Sequence, residues 1–238
     1  METYRLWSRA IGVKFMDEIF GKAVFDFAYG KKYKVFQEFE GSQEIEITDH
    51  ISKLLNKKFS NVVSKILDDV PGPVLEVGCG AGAHLIHLKE KRKIPVFGLE
   101  TSDYIIRYLR RLGIPCLRAE KAREEFFERK INTVLMLNYG FGIFGNLAEQ
   151  KKFLSFLSKI TTPNAKIFCS EKFDDIPIHD EVRQLKFRFK TKEMEGKWIQ
   201  KFIFSPPGIV NFLKDTDWHL IGEIPDSGNI CYVIGKKK

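Results

Sequence analysis

The chain has 238 residues, and 39 lysines and arginines against 31 aspartates and glutamates give a formal net charge of +8. A hydrophobic fraction of 44% with 29% charged residues excludes global disorder. No apolar run approaches the roughly 20 residues of a membrane-spanning helix, and the first ten residues are too polar for a secretory signal. These features predict a cytoplasmic protein without a membrane partner, built as one domain, or as one domain with an appendage.

The cysteines and the charge leave the partner open. Four cysteines stand far apart without a CxxC pair, which argues against a zinc knuckle and against a disulfide framework. We therefore expect no metal. The positive balance permits an anionic partner such as RNA, but a lysine-rich surface explains it equally well.

Residues 1–70 predict a helical cap segment ahead of the main domain. Early apolar residues recur every four positions, as on one face of a helix: Ile11, Phe15 and Ile19. Residues 44–48 have the composition of a short extended piece. Apolar positions from 51 to 67 then follow a 3.6-residue period, with Thr48 or Asp49 as the cap. Pro71-Gly72-Pro73 ends this segment.

From residue 74 onward, strand and helix patterns alternate, which is typical of a parallel sheet with helices packed on it. The strands are predicted at 74–77, 95–99, 114–118, 131–137 and 166–169. The helices are predicted at 83–89, 103–112, 122–129 and 147–160. Ser102 and Asn146 are the expected N-caps, and Gly113 is an expected C-cap.

After the fifth strand the pattern changes to antiparallel pairs. Strands at 183–190 and 197–204 flank a turn, and Ser205-Pro206 opens a short helix. Two last strands follow, at 218–224 and 230–235. The main domain is therefore predicted at 71–238, with a β-hairpin insertion at 173–204 that serves as a substrate lid.

The strongest motif is a strand that runs into a glycine-rich turn, Val74-Leu75-Glu76-Val77-Gly78-Cys79-Gly80-Ala81-Gly82. Glycine permits positive φ angles and lets a ligand approach the backbone closely. The helix that follows offers unpaired N–H groups at its start. The spacing Gly78-x-Gly80-x-x-Ala83 satisfies the dinucleotide fingerprint, which alone is a weak signal.

Glu76 favours a ligand without phosphate. It lies inside the strand, two residues before the first glycine, where its carboxylate can point toward the ligand crevice and would repel a pyrophosphate. S-adenosylmethionine (SAM) carries an ammonium and a sulfonium, for which an acid is useful. The alternative is a solvent-facing acid at a strand end.

Two further acids follow the next strands. Glu100 ends the second strand, where a carboxylate can accept both hydroxyls of a ribose in either ligand class. Ala119-Glu120 ends the third strand, where an acid or its backbone can meet an adenine edge. Glu120 can equally be an acid favoured at the start of a helix.

On the Glu76-to-Gly82 motif, Glu100 and Ala119-Glu120, the chain resembles the class I, Rossmann-like, SAM-dependent methyltransferases from about residue 74 to residue 236. The resemblance implies an α/β fold: a mostly parallel seven-stranded sheet with an antiparallel last strand, helices on both faces and an N-terminal helical extension. The closing hairpin at 218–235 distinguishes this class from nicotinamide dehydrogenases.

The resemblance also implies roles for single residues. Gly78 and Gly80 would line the methionine part of SAM, Glu100 would hold the ribose, and Glu120 would lie near the adenine. Residues 25–33 look like the tyrosine-containing segment of small-molecule members, so that Tyr29 or Tyr33 caps the cofactor; the alternative is an aromatic helical face packed on the domain. The residues expected to bind SAM are Glu76, Gly78, Cys79, Gly80, Gly82, Glu100, Thr101, Ala119, Glu120, Asn138, Tyr139, Tyr29 and Tyr33.

The acceptor is expected beyond the fourth strand, because ligand crevices in open α/β sheets lie outside the carboxyl ends of the strands. Of Phe141 and Phe144, we expect one to be core and the other to face the site. Methyl transfer depends on alignment and exclusion of water, so no catalytic residue is assigned. His179 is a candidate base or metal ligand, or part of a polar loop. His84 and His87 are expected at the surface.

Basic residues concentrate between positions 183 and 201, where they are interleaved with apolar residues: Arg183, Lys186, Arg188, Lys190, Lys192, Lys197 and Lys201. A period of two puts such side chains on one face of a strand. We expect this basic ribbon to be a solvated strand edge, then a contact for an anionic small substrate, and only third an RNA contact.

The sequence thus predicts a SAM-dependent methyltransferase that methylates a small-molecule acceptor on N or O by in-line transfer. The alternative is an RNA methyltransferase that uses the basic ribbon. An NAD-dependent oxidoreductase is less favoured, because Glu76 and the C-terminal hairpin argue against it. A cofactor-binding protein without catalysis stays open, since no base is obligatory. The oligomeric state is not predicted.

Overall fold

The computed structural model describes residues 17–127, 130–137, 140–172, 181–226 and 229–237. Three predicted site residues, Asn138, Tyr139 and His179, lie outside these ranges, as do Ile11 and Phe15 of the first predicted helical face. Within these ranges, no helix combines the length and the hydropathy that a membrane crossing requires.

The described part of the chain contains seven α-helices and eleven strands. Its first elements are α1 (Glu18–Ala28), β1 (Phe36–Phe39), β2 (Glu44–Glu46), α2 (Thr48–Leu55), α3 (Asn61–Asp69), β3 (Val74–Val77), α4 (Ala83–His87), β4 (Val96–Glu100), α5 (Asp103–Arg111), β5 (Cys116–Arg118) and β6 (Ile131–Met136). Its later elements are α6 (Leu147–Ile160), β7 (Thr161–Lys172), β8 (Val182–Lys190), β9 (Ile199–Phe204), α7 (Pro206–Leu213), β10 (Trp218–Asp226) and β11 (Asn229–Lys236).

Seven of the strands form one sheet in the order β10-β11-β7-β6-β3-β4-β5. The five strands from β3 to β7 run parallel, whereas β11 pairs antiparallel with both β7 and β10. The predicted fold class, a mostly parallel seven-stranded α/β sheet with an antiparallel last strand, is confirmed.

The core is divided between the two faces of this sheet because successive side chains of a strand point in opposite directions. Leu75 and Val77 pack with residues of α6 and α7 on one face. Val74 packs with residues of α1, α4 and α5 on the other. Glu76 has the parity of Val74, so its carboxylate is directed to the second face, at the carboxyl end of β3.

A second sheet is antiparallel and has the order β2-β1-β8-β9. Its central pairing runs from Phe36 opposite Lys190 to Phe39 opposite Phe187. The extended piece predicted at 44–48 is confirmed as β2, whereas β1 was not predicted in this otherwise helical segment. Because β1 bonds directly to β8, the predicted N-terminal cap and the predicted lid are parts of one layer.

The apolar period at 51–67 is divided between α2 and α3. Lys57 has a φ of +53° just after α2, and the Ser60 hydroxyl accepts a hydrogen bond from the Val63 N–H as the N-cap of α3. An L-residue in the left-handed region does not continue a right-handed helix. The single helix expected from the periodicity is therefore wrong.

The helix predicted at 122–129 is also wrong. One 3₁₀ turn, Ala119–Lys121, precedes this stretch, and a second, Glu124–Phe126, is the only helical turn among its described residues. Residues 128 and 129 lie outside the described ranges. Phe127 is buried, but Phe126 is 51% exposed. The segment thus lacks the apolar face that would hold a helix against the sheet.

The N-caps predicted at Asn146 and Ser205 and the C-cap predicted at Gly113 are confirmed. Those predicted at Thr48 or Asp49 and at Ser102 are wrong, since the residue before α2 is Ile47, which makes no side-chain cap. Asn146 Oδ1 accepts from the Glu149 N–H at 2.8 Å, Ser205 Oγ accepts from the Gly208 N–H at 3.2 Å, and Gly113 has a φ of +68°. Ser102 precedes α5 but makes no side-chain cap. Its hydroxyl is used in the contact between α1 and α5.

Helix α1 lies alongside α5 and runs in the same direction. At their N-terminal ends, Ser102 Oγ donates to Glu18 Oε2 at 2.8 Å. At their C-terminal ends, the Arg111 guanidinium lies 5.5 Å from the centre of the Tyr29 ring. Since α5 begins where β4 ends, the start of α1 lies at the carboxyl edge of the sheet and Tyr29 lies far from it.

Candidate functional site

The turn after β3 has a backbone that glycine adopts readily and other residues do not. Gly78, Gly80 and Gly82 have φ angles of +66°, +50° and +66°. A Cβ on Gly82 would lie 2.2 Å from Leu109 Cδ2 of α5. The glycines are therefore needed for the dihedral angles of the turn, and at Gly82 also for its packing.

Glu100 braces this turn from the end of β4. Its Oε2 accepts from the Gly80 N–H at 3.1 Å, and its Oε1 accepts from the N–H groups of Thr101 at 2.6 Å and Ser102 at 3.2 Å. Burial raises the pKa of Glu100 to about 7, against these hydrogen bonds, which lower it. One carboxylate thus holds the glycine turn and the start of α5 together.

Glu76 and His84 form a buried pair beneath the turn. Glu76 Oε1 lies 2.6 Å from His84 Nδ1, and the two side chains are 4% and 6% exposed. The expectation of a surface position for His84 is wrong, because α4 starts directly after Gly82 and turns this residue onto the sheet. Glu76 Oε2 is buried and has no hydrogen-bond partner among the described residues. Buried polar atoms are rarely left without a partner.

A cavity lies between the glycine turn, α2 and the second sheet. It contains about 990 Å³ of atom-free space, which includes space open to solvent. On the side of the turn it is lined by Glu76, Gly78, Cys79, Gly80 and His84. The facing wall includes the apolar residues Phe39, Leu54, Leu185, Phe187 and Phe189, together with the polar residues Gln37, His50 and Lys201. The glycine turn and the predicted lid therefore face each other across one cavity.

A buried ion pair lies at the cavity wall. Lys201 Nζ is 3.0 Å from Glu171 Oε2, and the two side chains are 2% and 0% exposed. Desolvation lowers the pKa of Lys201 and raises the pKa of Glu171. Lys201 was expected on the solvated ribbon. The structure corrects this, because on β9 this side chain faces the interior and lines the cavity.

Three of the remaining strand cations of the ribbon, Lys186, Arg188 and Lys190, are paired with acids of the N-terminal hairpin. Lys186 Nζ lies 3.1 Å from Glu40, and Glu38 lies 2.7 Å from Arg188 Nε and 3.3 Å from Lys190 Nζ. The expected strand edge is also wrong, since β8 is bonded to β1 on one side and to β9 on the other. The basic face is therefore a mixed-charge surface.

Phe141 and Phe144 are both core residues. The Phe141 ring lies 5.6 Å from that of Phe204, and Phe144 is buried in the same cluster with α6 and α7. The expectation that one of the two faces the site is wrong, because both point to the opposite face of the sheet. From this loop, Gly140 and Ile143 line the cavity instead.

Thr101, Ala119 and Glu120 lie at the carboxyl ends of β4 and β5, beside Glu100. Thr101 and Ala119 are buried, and Glu120 Oε1 lies 3.9 Å from Arg118 Nη1. These three are brought to the predicted edge of the sheet. Within the described part of the chain, they stand beside the cavity without lining it.

Tyr29 and Tyr33 are likewise outside the cavity lining of the described residues. Tyr29 is 56% exposed and packs against Phe25 and Arg111. The Tyr33 hydroxyl donates to Asp26 Oδ2 at 3.1 Å. The predicted cap on the cofactor has no support here, because both residues lie at the C-terminal end of α1. The alternative of an aromatic helical face fits better.

No protein-family profile and no curated protein matches the sequence, but solved structures resemble the fold. A SAM-dependent methyltransferase from Bacteroides fragilis, in complex with S-adenosyl-L-homocysteine (SAH), is 19% identical, with 92% of this chain and 94% of that chain covered and a TM-score of 0.76. A SAM-bound amino pentose methyltransferase from Micromonospora echinaspora is 15% identical, with 82% and 99% covered and a TM-score of 0.57. A SAM-dependent methyltransferase from Clostridium acetobutylicum is 12% identical, with 79% and 92% covered and a TM-score of 0.54. The chain has the fold of SAM-dependent methyltransferases.

Proposed function

We propose that this chain, which has the fold of SAM-dependent methyltransferases, binds SAM at the glycine turn and transfers the methyl group to N or O of a small-molecule acceptor. The observation that carries the proposal is the state of Glu76. Its Oε2 is buried, lacks a hydrogen-bond partner among the described residues and belongs to a side chain that lines the cavity.

The residues of the turn fit the charge and shape of SAM. The ammonium of the methionine part would satisfy Glu76 Oε2, and no phosphate has to be placed beside a carboxylate. The positive-φ glycines leave the backbone open to close approach. Glu100 would hold the ribose, with Thr101, Ala119 and Glu120 toward the adenine. When bound, SAM supplies a methyl group that its positively charged sulfur activates.

The protein's own residues contribute binding, orientation and exclusion of water. The apolar wall, with Phe187 and Phe189, would hold the acceptor against the glycine turn and remove water from the line of transfer. His84 would keep Glu76 in place through the 2.6 Å contact. A low-dielectric cavity strengthens each of these charge interactions.

A small-molecule acceptor is favoured over RNA by the distribution of charge. The part of the cavity wall that faces the turn contains several phenylalanines and leucines and one lysine, Lys201, whereas nucleic acid is held chiefly by unpaired lysine and arginine at the phosphates. Lys186, Arg188 and Lys190 are each paired with a glutamate. The amino pentose methyltransferase with the same fold is a precedent for a small acceptor.

Calorimetry of the full chain with SAM, SAH and NAD tests the cofactor. We expect SAM and SAH to bind and NAD not to bind. Binding of NAD alone would replace the proposal by an oxidoreductase. SAH release on incubation with pooled metabolites, and separately with RNA at low salt, then tests the acceptor. RNA methylation without metabolite methylation would overturn the acceptor class, and bound SAM without any release would favour a non-catalytic binding protein.

A further inference from the structure

The buried Lys201–Glu171 ion pair is expected to contribute little to the stability of the fold. Both side chains are removed from water, and the desolvation of two such charges commonly exceeds their attraction, so that apolar residues of similar volume are as stable or more so. Glu171 Oε1 also has no hydrogen-bond partner among the described residues. A costly pair at a cavity wall suggests a role toward a molecule inside the cavity.

The position of the pair limits what that molecule can be. Lys201 lines the same cavity as Glu76 and Gly80 of the turn. Leu185 lies opposite Lys201 in the β8–β9 pair, and Phe187 and Phe189 line the cavity from the same strand, β8. A molecule that contacts both the turn and Lys201 lies in a cavity that these side chains line. Phenylalanine rings favour flat, apolar partners, so a ring-bearing acceptor fits this wall.

The charge of Lys201 selects the reacting atom. A nitrogen acceptor acquires positive charge as it is methylated, which an ammonium beside it opposes. A hydroxyl acceptor must instead lose its proton, and an ammonium stabilises the resulting oxyanion. Burial lowers the pKa of Lys201 and raises that of Glu171, and both shifts favour movement of a proton from Lys201 to Glu171.

From this geometry, and on the basis of the methyltransferase function proposed above, we propose that the acceptor is a phenol-type hydroxyl compound and that Lys201 and Glu171 take up its proton. The hydroxyl proton passes to Lys201 as Lys201 gives a proton to Glu171. The acceptor oxygen forms a bond to the methyl carbon, the carbon–sulfur bond breaks, and its electron pair stays on sulfur. The charge lost at sulfur is balanced by the proton held on Glu171.

The ionisation of 4-nitrophenol tests this without turnover, because its anion has a separate absorption band. It is titrated against SAH-loaded protein at a pH below its own pKa. The wild type and Lys186→Met, a control on the outer face of β8, should bind it as the phenolate. Lys201→Met should bind it in the neutral form or not at all. Failure of the wild type to bind it, or binding in the neutral form, overturns the inference.

Activity gives the second test, on phenols with matched amines: 2-naphthol against 2-naphthylamine, and catechol against benzylamine. The phenols should be methylated, with kcat reduced roughly 100-fold or more in Lys201→Met and Glu171→Gln, while calorimetric affinity for SAM is kept. The double variant Lys201→Met/Glu171→Leu leaves no unpaired buried charge, so it should fold and bind SAM without turnover.

The outcomes separate this inference from the function on which it rests. A wild type that binds no SAM contradicts the methyltransferase proposal itself. A wild type that binds SAM but methylates only the amines, or a Lys201→Met variant with wild-type kcat on the phenols, overturns the inference alone.

Discussion

The backbone N–H of Gly80 donates a hydrogen bond to Glu100 Oε2 at 3.1 Å, so the glycine turn after β3 is held by a carboxylate that ends the neighbouring strand. The acid expected to hold a ribose therefore also holds the loop beneath it. Removing it should affect both the free protein and its affinity for SAM.

Glu100 should make stability fall as the pH rises. Its pKa is about 7 in the folded protein against an ordinary 4.5, so between these values the folded state holds more protons than the unfolded state. The stability that the protonated Glu100 contributes is fully present below about pH 4.5, and it is lost as the pH rises through about 7. In urea unfolding from pH 4.5 to 8, the wild type should lose ~3 kcal/mol relative to Glu100→Gln. If the free energy of unfolding changed with pH in the same way for both proteins, the pKa of Glu100 would not be raised by burial.

Glu100→Ala should weaken SAM binding by ~1.5–3 kcal/mol, the scale of hydrogen bonds to a charged group. The measurement is calorimetry with SAM. Glu120→Gln is the comparison, and it should lose less, because Glu120 is partly exposed and beside an arginine. Undiminished binding by Glu100→Ala is incompatible with the ribose assignment.

Glu76→Gln should weaken the affinity for SAM roughly 10- to 100-fold, because a neutral amide replaces the carboxylate that pairs with the ammonium of SAM. The same variant should bind 5′-methylthioadenosine as the wild type does, since that molecule lacks the amino-acid part. Calorimetry of both ligands on both proteins makes the comparison. Equal losses for the two ligands would mean that Glu76 acts on the shape of the turn and not on the ammonium.

Gly82→Ala should destabilise the fold by ~1–3 kcal/mol, because its φ is +66° and its Cβ would meet Leu109. Gly145→Ala is the matched control. Gly145 has a φ of +75° but nothing within 4 Å of the added Cβ, so only backbone strain of ~1 kcal/mol is expected. Urea unfolding measures both, and equal losses would exclude a contribution from the contact with α5.

Phe144→Ala should lower the free energy of unfolding by ~3–5 kcal/mol, as for other large core truncations. Phe126→Ala, at an exposed position of the same residue type, should change it by less than ~0.5 kcal/mol. Urea unfolding at constant m-value gives both numbers. A stable Phe144→Ala variant with impaired SAH release would restore the residue to the acceptor site.

The local signals in the sequence were sufficient for the sheet and the turn. The alternation of Val74, Leu75 and Glu76 places the acid on one face of the sheet. The closely spaced glycines after the strand indicated a turn with positive φ angles, which all three of them have. What was missed depends on contacts between distant residues. Glu171 and Lys201 are 30 positions apart. The local sequence around each of them is that of an ordinary charged strand residue and does not indicate the other. His84 was misplaced because helix periodicity does not tell which face meets a buried acid.

The two aromatics after the fourth strand show the same limit. Phe141 and Phe144 have the composition of a binding loop, but the core cluster formed by α6, α7 and β9 takes both of them. The period-two pattern of β8 was correct, whereas its supposed open edge was not. The partner strand β1 lies about 150 positions earlier in the chain, and no local pattern identifies it.

That pairing has a consequence for how the molecule assembles. One wall of the cavity contains β1 and β8, which are about 150 positions apart in the chain. Pairing such distant segments closes a long loop, which has an entropic cost. We expect the seven-stranded sheet to gain hydrogen-exchange protection first and the β1–β8 pair last. The seven-stranded sheet would then form before the second sheet completes the wall of the acceptor cavity.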